Sequence, residues 1–73
     1  MNKIVTIKFK GRITLDVYFG DDEDNFEPTD FFAGEEHEVF LQTGNNSRLV
    51  DIEFENGNVV FQVSTKLFEV VKE

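Results

Sequence analysis

Seventy-three residues make one domain near the lower size limit for a self-sufficient core, and nine phenylalanines supply much of the apolar surface such a core needs. The absence of cysteine excludes disulfides and thiolate metal centres, and no run of about 18 apolar residues is present to form a membrane-spanning helix. A formal charge of −8 favours solubility and a monomer, and it opposes binding to the phosphate backbone of nucleic acid. Residues 1–12 contain no continuous apolar stretch of the signal-peptide kind, so a soluble, cytoplasmic protein is expected.

Period-two alternation dominates the chain. Over residues 3–9, Val5, Ile7 and Phe9 share one face, with Thr6 and Lys8 on the other. Residues 12–19 repeat the pattern, with Ile13, Leu15, Val17 and Phe19 alternating with Arg12, Thr14, Asp16 and Tyr18. Lys10-Gly11 between them predicts a tight hairpin whose glycine takes positive φ. Alternation then stops over residues 20–30. Five consecutive polar residues, Asp21 to Asn25, precede Phe26 and the only proline, Pro28, and the segment reads as a long loop. Thr29 or Asp30 is expected to cap one helical turn through Phe31, Phe32 and Ala33, which Gly34 ends.

Residues 37–41 resume the alternation, with Val39 and Leu41 opposed to Glu38 and Phe40, and residues 43–47 form a turn cluster. Over residues 49–55, Val50, Ile52 and Phe54 point inward. Asn56-Gly57 predicts a type I′ hairpin, after which Val59, Phe61 and Val63 share the inner face. Thr65-Lys66-Leu67 suits a 3₁₀ turn, and residues 68–72 form a last strand with Phe68 and Val70 inward. The sum is an all-β domain of five to six short antiparallel strands, for which closure into a small bent barrel buries one face and limits exposed edges. The expected core is Val5, Ile7, Ile13, Leu15, Val17, Val39, Leu41, Val50, Ile52, Phe54, Val59, Phe61, Val63, Phe68 and Val70.

From Leu15 onward the layout resembles an SH3-like barrel. A strand Leu15-Asp16-Val17-Tyr18-Phe19 leads into a long acidic loop, and Phe32-Ala33-Gly34-Glu35-Glu36 resembles the family's entry into its second strand. A short loop at residues 44–47, the Asn56-Gly57 hairpin and a closing strand, 3₁₀ turn and strand over residues 63–71 complete the likeness. In peptide-binding members an aromatic groove receives a proline-rich helix. The resemblance implies that Tyr18 matches a groove tyrosine and that the acidic loop matches the one receiving a ligand arginine. The chain departs from that pattern in having no Trp after residue 47, no Pro before Ser64, and Phe68 where a groove tyrosine is expected, so proline-rich recognition is not carried over.

Catalytic and metal chemistry find little footing. Asp21-Asp22-Glu23-Asp24-Asn25 offers oxygens for a hard cation, but Phe26 and Glu27 stand where an EF-hand needs an oxygen ligand and a glycine. His37 is the only histidine, and in a strand Glu36 and Glu38 point away from it. Without cysteine or a serine motif near that histidine no nucleophile–base set can be assembled, so no enzyme and no cofactor are expected. Lys3, Lys8, Lys10 and Arg12 sit near Phe9, yet four cations against a net −8 serve better as cross-strand partners for the chain's own carboxylates than as nucleic-acid ligands.

Charge segregation is the remaining signal. Between Ile13 and Ser47 the chain carries ten carboxylates and no Lys or Arg, whereas residues 1–12 carry four cations and no acid. Solubility and edge protection account for such a segment on their own. The functional reading is that it engages a basic partner protein through Asp21, Asp22, Glu23, Asp24, Phe26, Glu27, Asp30, Glu35, Glu36 and Glu38, with the aromatics as anchors inside a charged rim. Its most concrete form is a phage-type inhibitor that mimics nucleic acid at a DNA- or RNA-handling enzyme, a likeness resting on size and charge. The alternative is an assembly module docking through a sheet edge or apolar patch. On the functional reading, neutralising Asp21, Asp22, Glu23 and Asp24 together weakens partner binding sharply while circular dichroism stays native; unchanged affinity would exclude that segment as the contact.

Overall fold

A computed structural model describes residues 4–20, 24–43 and 48–73 of the chain. Seven strands run β1 (Ile4–Phe9), β2 (Ile13–Tyr18), β3 (Phe26–Phe31), β4 (Glu36–Thr43), β5 (Leu49–Phe54), β6 (Val59–Ser64) and β7 (Phe68–Lys72). All pair antiparallel in one sheet ordered β3-β2-β6-β5-β4-β1-β7. The all-β expectation holds. The sheet is not closed, since β3 and β7 end it, and it has more strands than the five to six expected. Among the described residues there is no helix, hence none long and apolar enough to cross a membrane.

One face of the bent sheet carries the core. Val5, Ile7 and Phe9 of β1, Val39 of β4, Val50 and Ile52 of β5, and Val60 and Val63 of β6 are buried together with Val17, Phe31 and Phe68. Ile13, Leu15, Leu41, Phe54 and Leu67 pack half-buried around them. Register enforces this, because Val5 faces Val39 and Leu41 faces Ile52 across neighbouring strands, and a period of two keeps every second residue on that face.

Several expectations are corrected. Lys10-Gly11 does not close a β1–β2 hairpin. β1 lies between β4 and β7, while β2 lies between β3 and β6, and Gly11 is not among the positive-φ glycines. Long-range backbone bonds override the local turn signal: the Phe9 N–H donates to the Glu35 carbonyl (3.0 Å), the Gly34 N–H to the Phe9 carbonyl (2.9 Å) and the Lys10 N–H to the Leu67 carbonyl (3.0 Å). Residues 26–31 are strand β3 rather than loop. Its inward positions include Glu27 and Thr29, which hides the alternation, and Pro28 is tolerated because β3 is an end strand with no ladder on its far side.

No helical turn follows Phe31. The Glu35 N–H donates to the Phe32 carbonyl (3.1 Å) and Gly34 takes φ 86°, so this is a β-turn whose third position needs glycine. At the β5–β6 hairpin, the Gly57 N–H donates to the Phe54 carbonyl (2.9 Å) and the Phe54 N–H to the Asn58 carbonyl (2.8 Å). Gly57 has φ 90°, and Asn56 is not left-handed, so a type I turn followed by a glycine bulge replaces the expected type I′ turn. Residues 64–67 form a hydrogen-bonded turn, with the Leu67 N–H donating to the Ser64 carbonyl (3.1 Å).

The largest correction is in β6. Val50 pairs with Val63 but Ile52 pairs with Val60, so β6 holds one residue more than β5 over this stretch. That extra residue makes a bulge at Phe61-Gln62. Gln62 takes φ 55°, the only positive φ at a described non-glycine residue, and its N–H donates to the Asp51 Oδ1 (3.0 Å). Alternation is thereby shifted by one. Val60 replaces the expected Val59 and Phe61 in the core, and Phe61 turns outward at 45% exposure. Val70 is likewise exposed, on the end strand β7.

A left-handed backbone costs a side-chain-bearing residue about 1–2 kcal/mol, and glycine returns about 0.5–1 of that through unfolded-state entropy. Gln62→Gly is therefore expected to stabilise the fold by about 0.5–1 kcal/mol, read as a higher urea midpoint at unchanged slope. A lower midpoint would mean that the Gln62 side chain holds the bulge.

Candidate interaction surface

Opposite the core lies the outer face of the sheet, and its chemistry follows from register. Thr14, Asp16 and Tyr18 alternate outward along β2, where Tyr18 stands opposite Phe26 on one side and Val59 on the other. The β6 bulge adds Phe61 to the same face. The Tyr18 ring lies 5.1 Å from Phe26, tilted by 36°, and 5.2 Å from Phe61 at 64°. These three rings make a ridge across β3, β2 and β6, with Phe26 48% and Phe61 45% exposed. Aromatic rings so arranged attract one another by about 0.5–1.5 kcal/mol per pair beyond area burial, which keeps an exposed ridge ordered.

Two hollows flank the ridge. One, of about 230 Å³, is bounded by Tyr18, Phe61, Val59, Gln42, Asp51 and Glu53 together with Gly20. The other, of about 490 Å³, opens where β2 and β6 separate beyond their single Tyr18–Val59 pairing, and Thr14, Leu15, Asp16, Val60 and Gln62 line it with the two rings. Neither is lined by Lys or Arg among the described residues. The carboxylates are held in place: Asp51 accepts the Gln62 N–H, and Glu53 accepts a bond from the Gln42 Nε2 (3.2 Å).

Further along the same strands the chain uses its own cation. Arg12 sits 5.5 Å above the Phe32 ring centroid, with its guanidinium 3.4 Å from the Asp30 Oδ2, and the Thr14 hydroxyl donates to the Asp30 Oδ1. The hydroxyl bond, and behind it the Arg12 guanidinium, hold the Asp30 carboxyl below the usual aspartate range, partly against desolvation.

On the inner face His37 stands edge-on to Phe9 (5.9 Å), Phe31 (5.6 Å) and Phe54 (5.6 Å). Its Nε2 lies 3.0 Å from the Glu35 Oε2, a bond in which the imidazole N–H donates, because a carboxylate only accepts. The acid partner expected to be absent is thus supplied two residues back, on the same face, rather than by Glu36 or Glu38. An opening of about 250 Å³ beside the ring is edged by Glu27, Thr29, Asn56 and Asn58.

Among the described residues, those singled out in the sequence are not brought together. Asp21, Asp22 and Glu23 lie outside the described residues, and Asp24 is exposed just before β3. Phe26 joins the ridge, and Asp30 is engaged by Thr14 and Arg12. Glu27 falls at the inner-face opening, and Glu35 is tied to His37. Glu36 and Glu38 lie on the outer face of β4, where Glu36 stands opposite Lys8. Strands β3 and β4 are separated by β2, β6 and β5, so acids adjacent in sequence are dispersed in space. Among the described residues, the acids lining the hollows beside the ridge are Asp16, Asp51 and Glu53. Tyr18 was within reach, through its match to a groove tyrosine; Phe61 was hidden by the bulge.

Comparison with protein-family profiles, with curated proteins and with solved structures finds no match to the chain.

Because its folded pKa is depressed, Asp30 adds stability at pH values above the ordinary aspartate value of about 3.9, and this is lost as pH falls through the folded pKa. Thr14→Ala and Arg12→Gln are each expected to raise the Asp30 pKa, as read by carboxyl-carbon NMR titration. No rise in Thr14→Ala would contradict the hydroxyl bond as the leading cause.

Proposed function

We propose that the chain is a non-enzymatic binding module of SH3-like type whose outer face engages a basic segment of another protein. One observation supports the reading most: the exposed Tyr18–Phe26–Phe61 ridge shares its hollows with Asp16, Asp51 and Glu53 and with no lysine or arginine among the described residues. Exposed aromatics give contact area, and fixed carboxylates give steering and selection for positive charge. The net charge of −8 extends that field beyond contact distance at low salt. A cationic segment of a DNA- or RNA-handling protein is one partner this surface would suit.

A second reading rests on the end strand β7, where Val70 and Val71 are 45% and 44% exposed. Docking there would pair strand edges and would persist at high ionic strength, whereas charge-led binding fades.

Titration calorimetry with an oligo-lysine peptide separates these. The proposed function predicts binding at low salt that weakens steeply as salt rises. The double variant Asp51→Asn, Glu53→Gln, which keeps both acceptors, should lose about 1 kcal/mol, roughly fivefold in Kd, and Glu36→Gln with Glu38→Gln should lose less. Equal losses from both pairs would reduce the surface to net charge, and no binding in either background would remove the proposal.

A further inference from the structure

Resting on the basic-partner reading, we infer that the ridge recognises arginine in particular, by stacking a guanidinium on Tyr18 or Phe61 while Asp51, Glu53 or Asp16 accepts its N–H groups. The chain itself displays the arrangement. Arg12 lies over the Phe32 ring at 5.5 Å, and the same guanidinium reaches the Asp30 carboxylate at 3.4 Å. Aromatic face, carboxylate and planar cation are thus combined at one end of the β2–β3 outer face, with the cation supplied internally. At the other end the ring and carboxylate recur and no lysine or arginine of the chain lines the hollows among the described residues.

Geometry favours arginine over lysine at such a place. A guanidinium is flat and weakly hydrated, so it can stack on a ring and still present several N–H donors in its plane to a carboxylate. An ammonium is a compact, strongly hydrated point charge that gains less from the ring. Asp51 retains acceptor capacity, because a carboxylate offers about four lone-pair sites and the bulge bond from Gln62 uses one of them. Hollows on both sides of the Tyr18–Phe61 pair allow two basic side chains of one extended segment to straddle the ridge. The occupant is therefore an extended protein segment carrying arginines, one to each hollow.

The chain contains one tyrosine and no tryptophan, so tyrosine emission reports on Tyr18 alone. Oligo-arginine and oligo-lysine peptides of equal length are titrated at matched ionic strength, following emission and calorimetric Kd together. Oligo-arginine is expected to bind about two- to fivefold more tightly and to change Tyr18 emission, with both effects lost in Phe61→Ala and reduced in Phe26→Ala. Both positions are about half exposed, so neither substitution empties the core, and a native amide spectrum checks each fold. Equal affinity for the two peptides, with unchanged emission and no effect of either variant, would overturn this inference and leave the charge-led reading standing. Failure of both peptides to bind would remove both.

Discussion

The bond from the Gln62 backbone N–H to the Asp51 carboxylate closes the bulge on which the rest of the outer face depends. Without the extra residue, Phe61 would stand opposite Ile52 and point into the core, and the Tyr18–Phe26 pair on the outer face would lack its third ring. With it, Val60 and Val63 fill the interior and Phe61 is delivered to Tyr18. Next to the bulge, β6 and β2 share the single Tyr18–Val59 pairing, and the larger of the two hollows opens between them. One aspartate both stabilises a strained backbone position and presents negative charge beside the ring it helped to expose. Fold and surface chemistry are therefore the same constraint seen from two sides of the sheet.

Aromatic packing secures the interior around that constraint. Phe9 stacks on Phe31 at 4.8 Å, Phe31 on Phe54 at 5.9 Å, and His37 closes the cluster edge-on with its outer nitrogen held by Glu35. These contacts join the end strand β3 to β5, β4 and β1, which lie beyond β2 and β6 in the sheet order, and so draw that end of the open sheet toward the far strands. The described residues leave no buried side-chain polar atom without a partner, in keeping with a small core that has little margin for an unsatisfied group.

Much of the strand content was legible because alternation is a local property. Val5, Ile7 and Val39 declare their face within a few residues of chain. What stayed hidden was non-local. Glu27 and Thr29 occupy inward positions at the sheet's rim, so β3 lacks the alternation that marks its neighbours. The Lys10-Gly11 signal is local and genuine in type, yet the bonds of Phe9 and Lys10 to Glu35, Gly34 and Leu67 decide the path. Val59-Val60 permits either phase, and only an alignment of β6 against Asp51 selects one. The described acids of the acidic segment show a related effect: Glu27 and Asp30 on β3 lie far from Glu36 and Glu38 on β4, because contiguity along a chain becomes dispersal once alternate residues take opposite faces and successive strands take distant places in the sheet. Among the described residues, Asp51 and Glu53 outside that segment join Asp16 within it as the acids beside the ridge.

The side of the sheet on which Phe61 lies is the most direct test of this account, and proton NOEs read it. The structure predicts NOEs from the Phe61 ring to the Tyr18 ring, and from the Val60 methyls to Ile52. NOEs placing the Phe61 ring against Ile52 instead would mean that β6 runs without a bulge, and neither the ridge nor the binding surface built on it would exist.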